Sequence, residues 1–202
     1  MPRPELAAVR VADPPEPWRA LGFAVTSGDR VVLGGIELEL RSGGSGLTGW
    51  TLRHLDSSDS GDDIDGLPTA VTTAGPPPAV AHPNAATGID HVVIVTPEFD
   101  RTASALAERG IPLRRIRESG DHRQGFRRLG PAIMEIVETP ALRSGPARLW
   151  GMVMIVPDLH ALHESLASHL REPRPAVQPG RQIATLAKSA GLSPQIAFMD
   201  PE

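Results

Sequence analysis

Cysteine and tyrosine are absent from the 202-residue chain, lysine occurs once, at Lys188, and the aromatic set is limited to three tryptophans and four phenylalanines. Without cysteine the chain has no disulfide, no thiolate nucleophile and no iron–sulfur ligand, and without tyrosine it has no phenolic acid. Twenty basic and 24 acidic residues give a net charge of -4, with no long basic run, so a nucleic-acid surface is not indicated. No apolar run reaches the roughly 18 residues of a membrane span, and the opening MPRPELAAV has no apolar leader core. The expectation is a cytoplasmic protein that meets a small-molecule ligand, with no nucleic-acid or membrane partner, as a monomer or homodimer. There is no G-x-S-x-G elbow, and the glycines of GDRVVLGG flank a strand and do not open a helix, so neither a serine hydrolase nor a phosphate loop is indicated.

The most informative stretch that is present runs from Gly88 to Gly110, GIDHVVIVTPEFDRTASALAERG. Its first half is apolar on both faces of a strand. Thr96 reads as a helix N-cap, with Pro97 at the first helical position and Glu98 in the first turn. Phe99, Thr102, Ala103 and Leu106 recur at helical spacing, and Gly110 ends the helix. His91, beside Asp90, is the one polar side chain that does not fit the packing logic. A second oddity is Glu135, alone in the apolar run PAIMEIVET, where a buried carboxylate is costly unless paired, protonated or metal-bound. The two either meet as a functional pair or are separately satisfied as structural residues.

This strand and helix open a unit that recurs. Leu113–Arg117 and Gly125–Gly130 are the next strands, separated by a turn at ESGDHRQ that would also serve as a lid, and the Glu135 strand closes the unit. LWGMVMIVPDLHALHESLASHL starts another copy, with Leu159, Leu162, Leu166 and Leu170 as the buried helical stripe, Arg181–Lys188 and Gln195–Met199 as later strands, and AVQPG as a short one. Aligning Pro97 with Pro157 puts Gly151 at the position of His91 and the neighbourhood of Ala197 at that of Glu135. A fainter copy covers residues 1–56: strands at Leu6–Val11, Phe23–Thr26, Arg30–Leu33 and Ile36–Leu40, a short helix carrying Trp18, and an extra strand at Leu47–Leu55. There Ala8 falls on His91 and Glu39 on Glu135. Residues 57–87 read as an acidic and Pro/Ala-rich linker or long loop, with a short strand in DGLPTAVTT and no calcium-loop spacing among Asp59, Asp62, Asp63 and Asp65.

Repeated βαβββ units with DHV at the head and a central Glu in the last strand resemble the vicinal oxygen chelate superfamily, the group of glyoxalase I, extradiol dioxygenases and bleomycin-resistance-like proteins. The resemblance implies an α+β fold in which paired modules, 88–140 and 147–202, form curled mixed sheets around a cavity with helices outside. It also implies a divalent metal (Zn, Ni, Mn or Fe) with His91 and Glu135 as ligands, Glu135 alternatively serving as catalytic base. The matching positions at Gly151 and Ala197 offer no ligand, so the set is incomplete, and His54, His82 and His122 have no spacing that places them in it. Met134, Trp150, Met152 and Phe198 are the expected cavity lining, and Arg114, Arg127 and Arg181 the expected anion contacts. The functional expectation is a metal-dependent lyase, isomerase or dioxygenase acting on a vicinal-oxygen substrate. The alternative is a metal-free small-molecule binding protein of the sequestration or resistance type.

Overall fold

The computed structural model describes residues 3–55, 63–119 and 122–201. The C-terminal portion is an eight-stranded sheet made of two βαβββ units. The first contains β7 (Gly88–Thr96), α2 (Phe99–Glu108), β8 (Arg115–Ser119), β9 (His122–Leu129) and β10 (Ala132–Glu138). The second contains β11 (Arg148–Ile155), α3 (Leu159–Leu166), β12 (Arg174–Pro175), β13 (Gln182–Thr185) and β14 (Gln195–Met199). The strand order β12-β13-β14-β11-β7-β10-β9-β8 sets the units back to back, their first strands antiparallel at the centre. In each unit the first strand pairs in parallel with the last. This is the paired, mixed-sheet α+β architecture expected from the repeat.

Strand registers fix the correspondence between the two copies. His91 lies opposite Ile133 and Val93 opposite Glu135 in one unit; Gly151 lies opposite Gln195 and Val153 opposite Ala197 in the other. Alternation along a strand then divides the side chains between faces. Val92, Ile94, Met134, Ile136, Met152, Met154, Ile196 and Phe198 are buried in the main core, whereas His91, Ile133, Glu135 and Val137 remain partly exposed on the other face. One face of the sheet holds the molecule together, and the other stays available for a ligand.

The N-terminal portion forms a six-stranded sheet of order β2-β3-β1-β4-β6-β5. Its elements are β1 (Glu5–Val11), α1 (Pro15–Ala20), β2 (Arg30–Leu33), β3 (Ile36–Leu40), β4 (Leu47–Arg53), β5 (Asp63–Ile64) and β6 (Leu67–Thr72). Ala8 lies opposite Glu37 and Arg10 opposite Glu39, the register of His91 with Ile133 and of Val93 with Glu135. Within the stretch expected as a linker or long loop, the short strand expected in DGLPTAVTT is β6, which pairs in parallel with β4, so β4, β5 and β6 make a reduced fourth unit. A buried side chain of β4 helps hold it there. Trp50 is fully buried and needs a partner for its indole N–H, which Thr69 of β6 supplies at 2.7 Å. Buried Arg53 donates to the carbonyl of Ala74, and buried His82 accepts from the Ala24 amide while its Nε2 contacts the Val32 carbonyl, so the segment after β6 is bound down too.

Smaller departures have local causes. Phe23–Thr26 is not a strand; only Thr26 bridges, to Arg30, because Phe23 is drawn into the core against Trp18 and Phe198. The expected strand at 181–188 is limited to β13, and β12 lies at Arg174–Pro175, ahead of the expected AVQPG. Helix α2 starts two residues later than Pro97 suggests: the Thr96 hydroxyl accepts from the Glu98 amide, and Glu98 is the N-cap. Of the acidic cluster, Asp59 and Asp62 lie outside the described residues, and Asp65 pairs with Arg101 and Thr102 of α2. Glu118–Gln124 spans the ends of the β8–β9 hairpin, with Gly120 and Asp121 outside the described residues. Both sheets contribute to one core cluster, and no helix among the described residues is long and apolar enough to cross a membrane.

Candidate functional site

A shift in pairing at the head of β7 builds the site. His91 lies opposite Val153 and Ile89 opposite the next residue, Met154, so Asp90 has no residue facing it. Such a bulge re-aims a side chain that strict alternation would send to the other face. Here it brings the Asp90 carboxylate to His91, with Oδ2 2.7 Å from Nδ1. Asp90 Oδ1 meets Arg181 Nη1 at 2.8 Å, and Arg181, only 6% exposed, is held in turn by the carbonyl of Asp200. The other ring nitrogen of His91, Nε2, is 3.6 Å from Glu135 Oε2, and Gln124 donates to Glu135 Oε1 at 2.9 Å. The series Arg181, Asp90, His91, Glu135, Gln124 thus runs across four strands or strand ends as one polar chain.

Burial opposes ionisation of Asp90, but the hydrogen bonds from His91 and Arg181 and their charges outweigh it and hold its carboxyl below the usual range. An ionised Asp90 accepts, so His91 carries its proton on Nδ1 and presents Nε2 to Glu135 and the cavity. Glu135 is shifted the opposite way. Burial, aided by the Asp90 charge, raises its pKa against the opposing pull of His91 and the Gln124 amide. Two carboxyls pushed apart with an imidazole between them are a common arrangement in proton-transfer sites.

A raised carboxyl fixes the sign of one prediction. The folded chain binds the Glu135 proton more tightly than the unfolded chain, so wild type loses this contribution as pH rises from the ordinary value of 4.5 through the folded value. Glu135→Gln is therefore expected to gain thermal stability relative to wild type as pH rises over that window. Melting curves of both proteins from pH 4 upward check it; a difference independent of pH would show that Glu135 is not perturbed in the folded state.

Two adjoining cavities share His91 and Glu135. One, of about 200 Å³, is lined by Arg117, Gln124, Phe126 and Arg174; the other, of about 270 Å³, by Val93, Val137, Trp150, Ile183 and Thr185. Of the expected lining, Trp150 is 47% exposed at the cavity wall and Met152 borders it from the core. Met134 and Phe198 do not line it. Met134 is the immediate neighbour of Glu135 on β10 and must point to the opposite face, and Phe198 stacks on Phe23 in the core. Arg181 supports Asp90 and does not border these cavities, while Arg114 and Arg127 border a separate cavity on the other side of β9. The side chains sequence reasoning missed are Gln124, Phe126 and Arg174. The first two become visible once β9 is set against β10, since Phe126 pairs with Glu135 and Gln124 with Val137.

The donor set does not fit a resident four-ligand metal. Gly151 and Ala197 occupy the matching positions in the second unit, both Asp90 oxygens are engaged by His91 and Arg181, and no group of three or more ionisable metal-type side chains is assembled among the described residues. His82 has both ring nitrogens on the backbone, and His54 and His122 are exposed at strand ends and line neither cavity.

No family model and no curated protein matches the sequence. Among solved structures, methylmalonyl-CoA epimerase from Mycobacterium tuberculosis is similar over 58% of this chain and 90% of that one, at 18% identity and a TM-score of 0.49. Streptomyces coelicolor methylmalonyl-CoA epimerase in complex with 2-nitronate-propionyl-CoA is similar over 57% and 94%, at 16% identity and a TM-score of 0.45. A hypothetical protein from Bacillus halodurans gives 56% and 94%, 16% and 0.44. The likeness is one of fold. The paired βαβββ arrangement of this chain stands on its own strand order and registers.

Proposed function

We propose that the chain is a glyoxalase-like small-molecule enzyme of the isomerase or lyase type, in which His91 and Glu135 move a proton on an anionic carbonyl substrate without a resident metal. The observation that carries this reading is the 3.6 Å approach of His91 Nε2 to Glu135 Oε2 at the wall of a cavity, with Asp90 fixing the imidazole tautomer from behind. His91 Nε2 takes a proton from the carbon beside a carbonyl, and the Glu135 carboxyl, kept protonated more readily by burial, returns one to the enolate carbon or oxygen. Gln124 orients the carboxyl. Arg117 and Arg174 have no ion pair with any described residue and border the same cavity, where they suit a substrate carboxylate.

The test is solvent deuterium exchange. Wild-type protein in deuterated buffer is incubated with a panel of 2-substituted 3-oxo acids and related carbonyl acids, and loss of the α-proton signal is followed by NMR. Exchange is expected, and it falls by about 10²–10⁴-fold in His91→Gln and in Glu135→Gln. Equal exchange in both variants would remove the pair from the chemistry. Titration with Zn, Ni, Mn and Fe salts is expected to leave no ion bound after dialysis; stoichiometric retention lost in both variants would restore the chelate mechanism.

A metal-free binding protein is the second reading, favoured by the exposed Trp150 beside Val93, Val137 and Ile183. Trp18 and Trp50 are fully buried, so a ligand in this cavity is expected to change the emission of Trp150 alone. Titration of wild type beside Trp150→Phe checks it: a signal that survives in the variant arises elsewhere.

A further inference from the structure

A third cavity, of about 560 Å³, opens where the two sheets meet, and shares no lining residue with those at His91. Its wall consists of Arg3 and Glu5 from the start of the chain, Arg114 ahead of β8, Arg127 and Arg128 of β9, and Gly130. Arg127 is 8% exposed, and its one side-chain hydrogen bond among the described residues is from Nη1 to the Pro112 carbonyl at 3.3 Å; among the same residues Arg128 donates only to the Pro131 carbonyl, at 3.3 Å. A guanidinium has five N–H donors, so most of the donor capacity here is unspent. Glu5, the one carboxylate on the wall, forms no ion pair with these arginines among the described residues, and neither Arg3 nor Arg114 has one.

Four arginines gathered at a recess with one carboxylate, Glu5, that pairs with none of them repel one another, and the repulsion is registered at Arg127. Burial first, then the charges of Arg114 and Arg3, lower its pKa. A dense anion seated among them relieves both effects, and guanidinium forks match the paired oxygens of a phosphate group. The cavity is larger than a lone phosphate ion fills and falls in the range of small-molecule sites. We infer that this cavity is a binding site for a phosphate-bearing small molecule, held by Arg3, Arg114, Arg127 and Arg128 at the junction of the two sheets and separate from the His91–Glu135 site.

The experiment is a thermal-shift and calorimetric titration of the full chain with inorganic pyrophosphate, against citrate at equal ionic strength. Pyrophosphate is expected to raise the melting temperature in a saturable way, because a ligand that binds only the folded chain stabilises it by mass action. Arg114→Gln is expected to weaken pyrophosphate binding by about 10-fold or more, as loss of a charge-assisted contact does, while Arg143→Gln on an exposed loop leaves it unchanged. Arg127→Gln has the same expected effect, and the Arg114 variant carries the test if the buried substitution does not fold. No saturable shift in wild type, an equal response to citrate, or equal affinity in the Arg114 and Arg143 variants would overturn the assignment.

Discussion

Arg181→Met is expected to lower folding stability by about 3–5 kcal/mol, the cost of leaving a buried partner charge uncompensated. Arg181 and Asp90 have side chains 6% and 10% exposed, 2.8 Å apart, and no other arginine or lysine pairs with Asp90 among the described residues. Urea denaturation at neutral pH measures the loss. The double variant Arg181→Met, Asp90→Leu is expected to recover most of it, since no charge is then left buried alone; a single-variant loss below about 1 kcal/mol would place the pair with solvent-screened surface ion pairs. The sign with pH follows from the depressed Asp90 carboxyl. Its contribution is present in full above the ordinary value of 3.8 and is lost as pH falls through the lower folded value. The wild-type advantage over Arg181→Met should therefore shrink in acid, and it should be constant from pH 5 upward as far as Asp90 is concerned.

Gly151→Ala is the second large effect. A Cβ at this position would collide with the backbone oxygen of Gln195 and lie 2.9 Å from its Cβ. Neither neighbour is the free end of a flexible side chain, so β11 and β14 must separate to admit even a methyl group. Overpacking of this kind costs typically 1–3 kcal/mol, and the backbone clash puts Gly151→Ala at the upper end, about 3 kcal/mol, as a drop in melting temperature. A variant as stable as wild type would show that the two strands part freely. The same geometry bears on the metal. Gly151 is the counterpart of His91, so the second unit cannot regain a histidine there without losing its parallel strand pair. Gly151→His with Ala197→Glu is accordingly expected to unfold and not to bind metal.

Much of this was legible along the chain because secondary structure and repeats are local patterns. The period-two apolar runs, the Thr96–Pro97 and Pro157–Asp158 helix starts, and the 60-residue offset place β7, β10, β11 and β14 and identify His91 and Glu135 as the polar exceptions in apolar strands. The two are brought together because the first and last strands of a unit pair in parallel, with Val93 opposite Glu135. Other features failed to show for definable reasons. Assigning Met134 and Glu135 to one cavity ignored that strand neighbours face apart, and Phe198 went to the core for the same reason. The short strand in DGLPTAVTT was legible, but that Trp50 would find its partner in the Thr69 hydroxyl was not, because the two lie 19 positions apart on paired strands.

What the sequence determined by itself is therefore the repeat, its strands and helices, and the two polar exceptions at the centre of the candidate site, since each depends on spacing within a few tens of residues. Tertiary structure decided what those residues can do. The bulge that turns Asp90 to His91, the arrival of Arg181 from 91 positions further on to neutralise it, and the closing of Gly151 against Gln195 all arise from strand pairing. The gathering of Arg3 with Arg114 and Arg127 is likewise set by how the two sheets meet. Charge and hydrogen-bond energies depend on distances of a few ångströms, and such distances between residues far apart in the chain exist only once the sheets have formed.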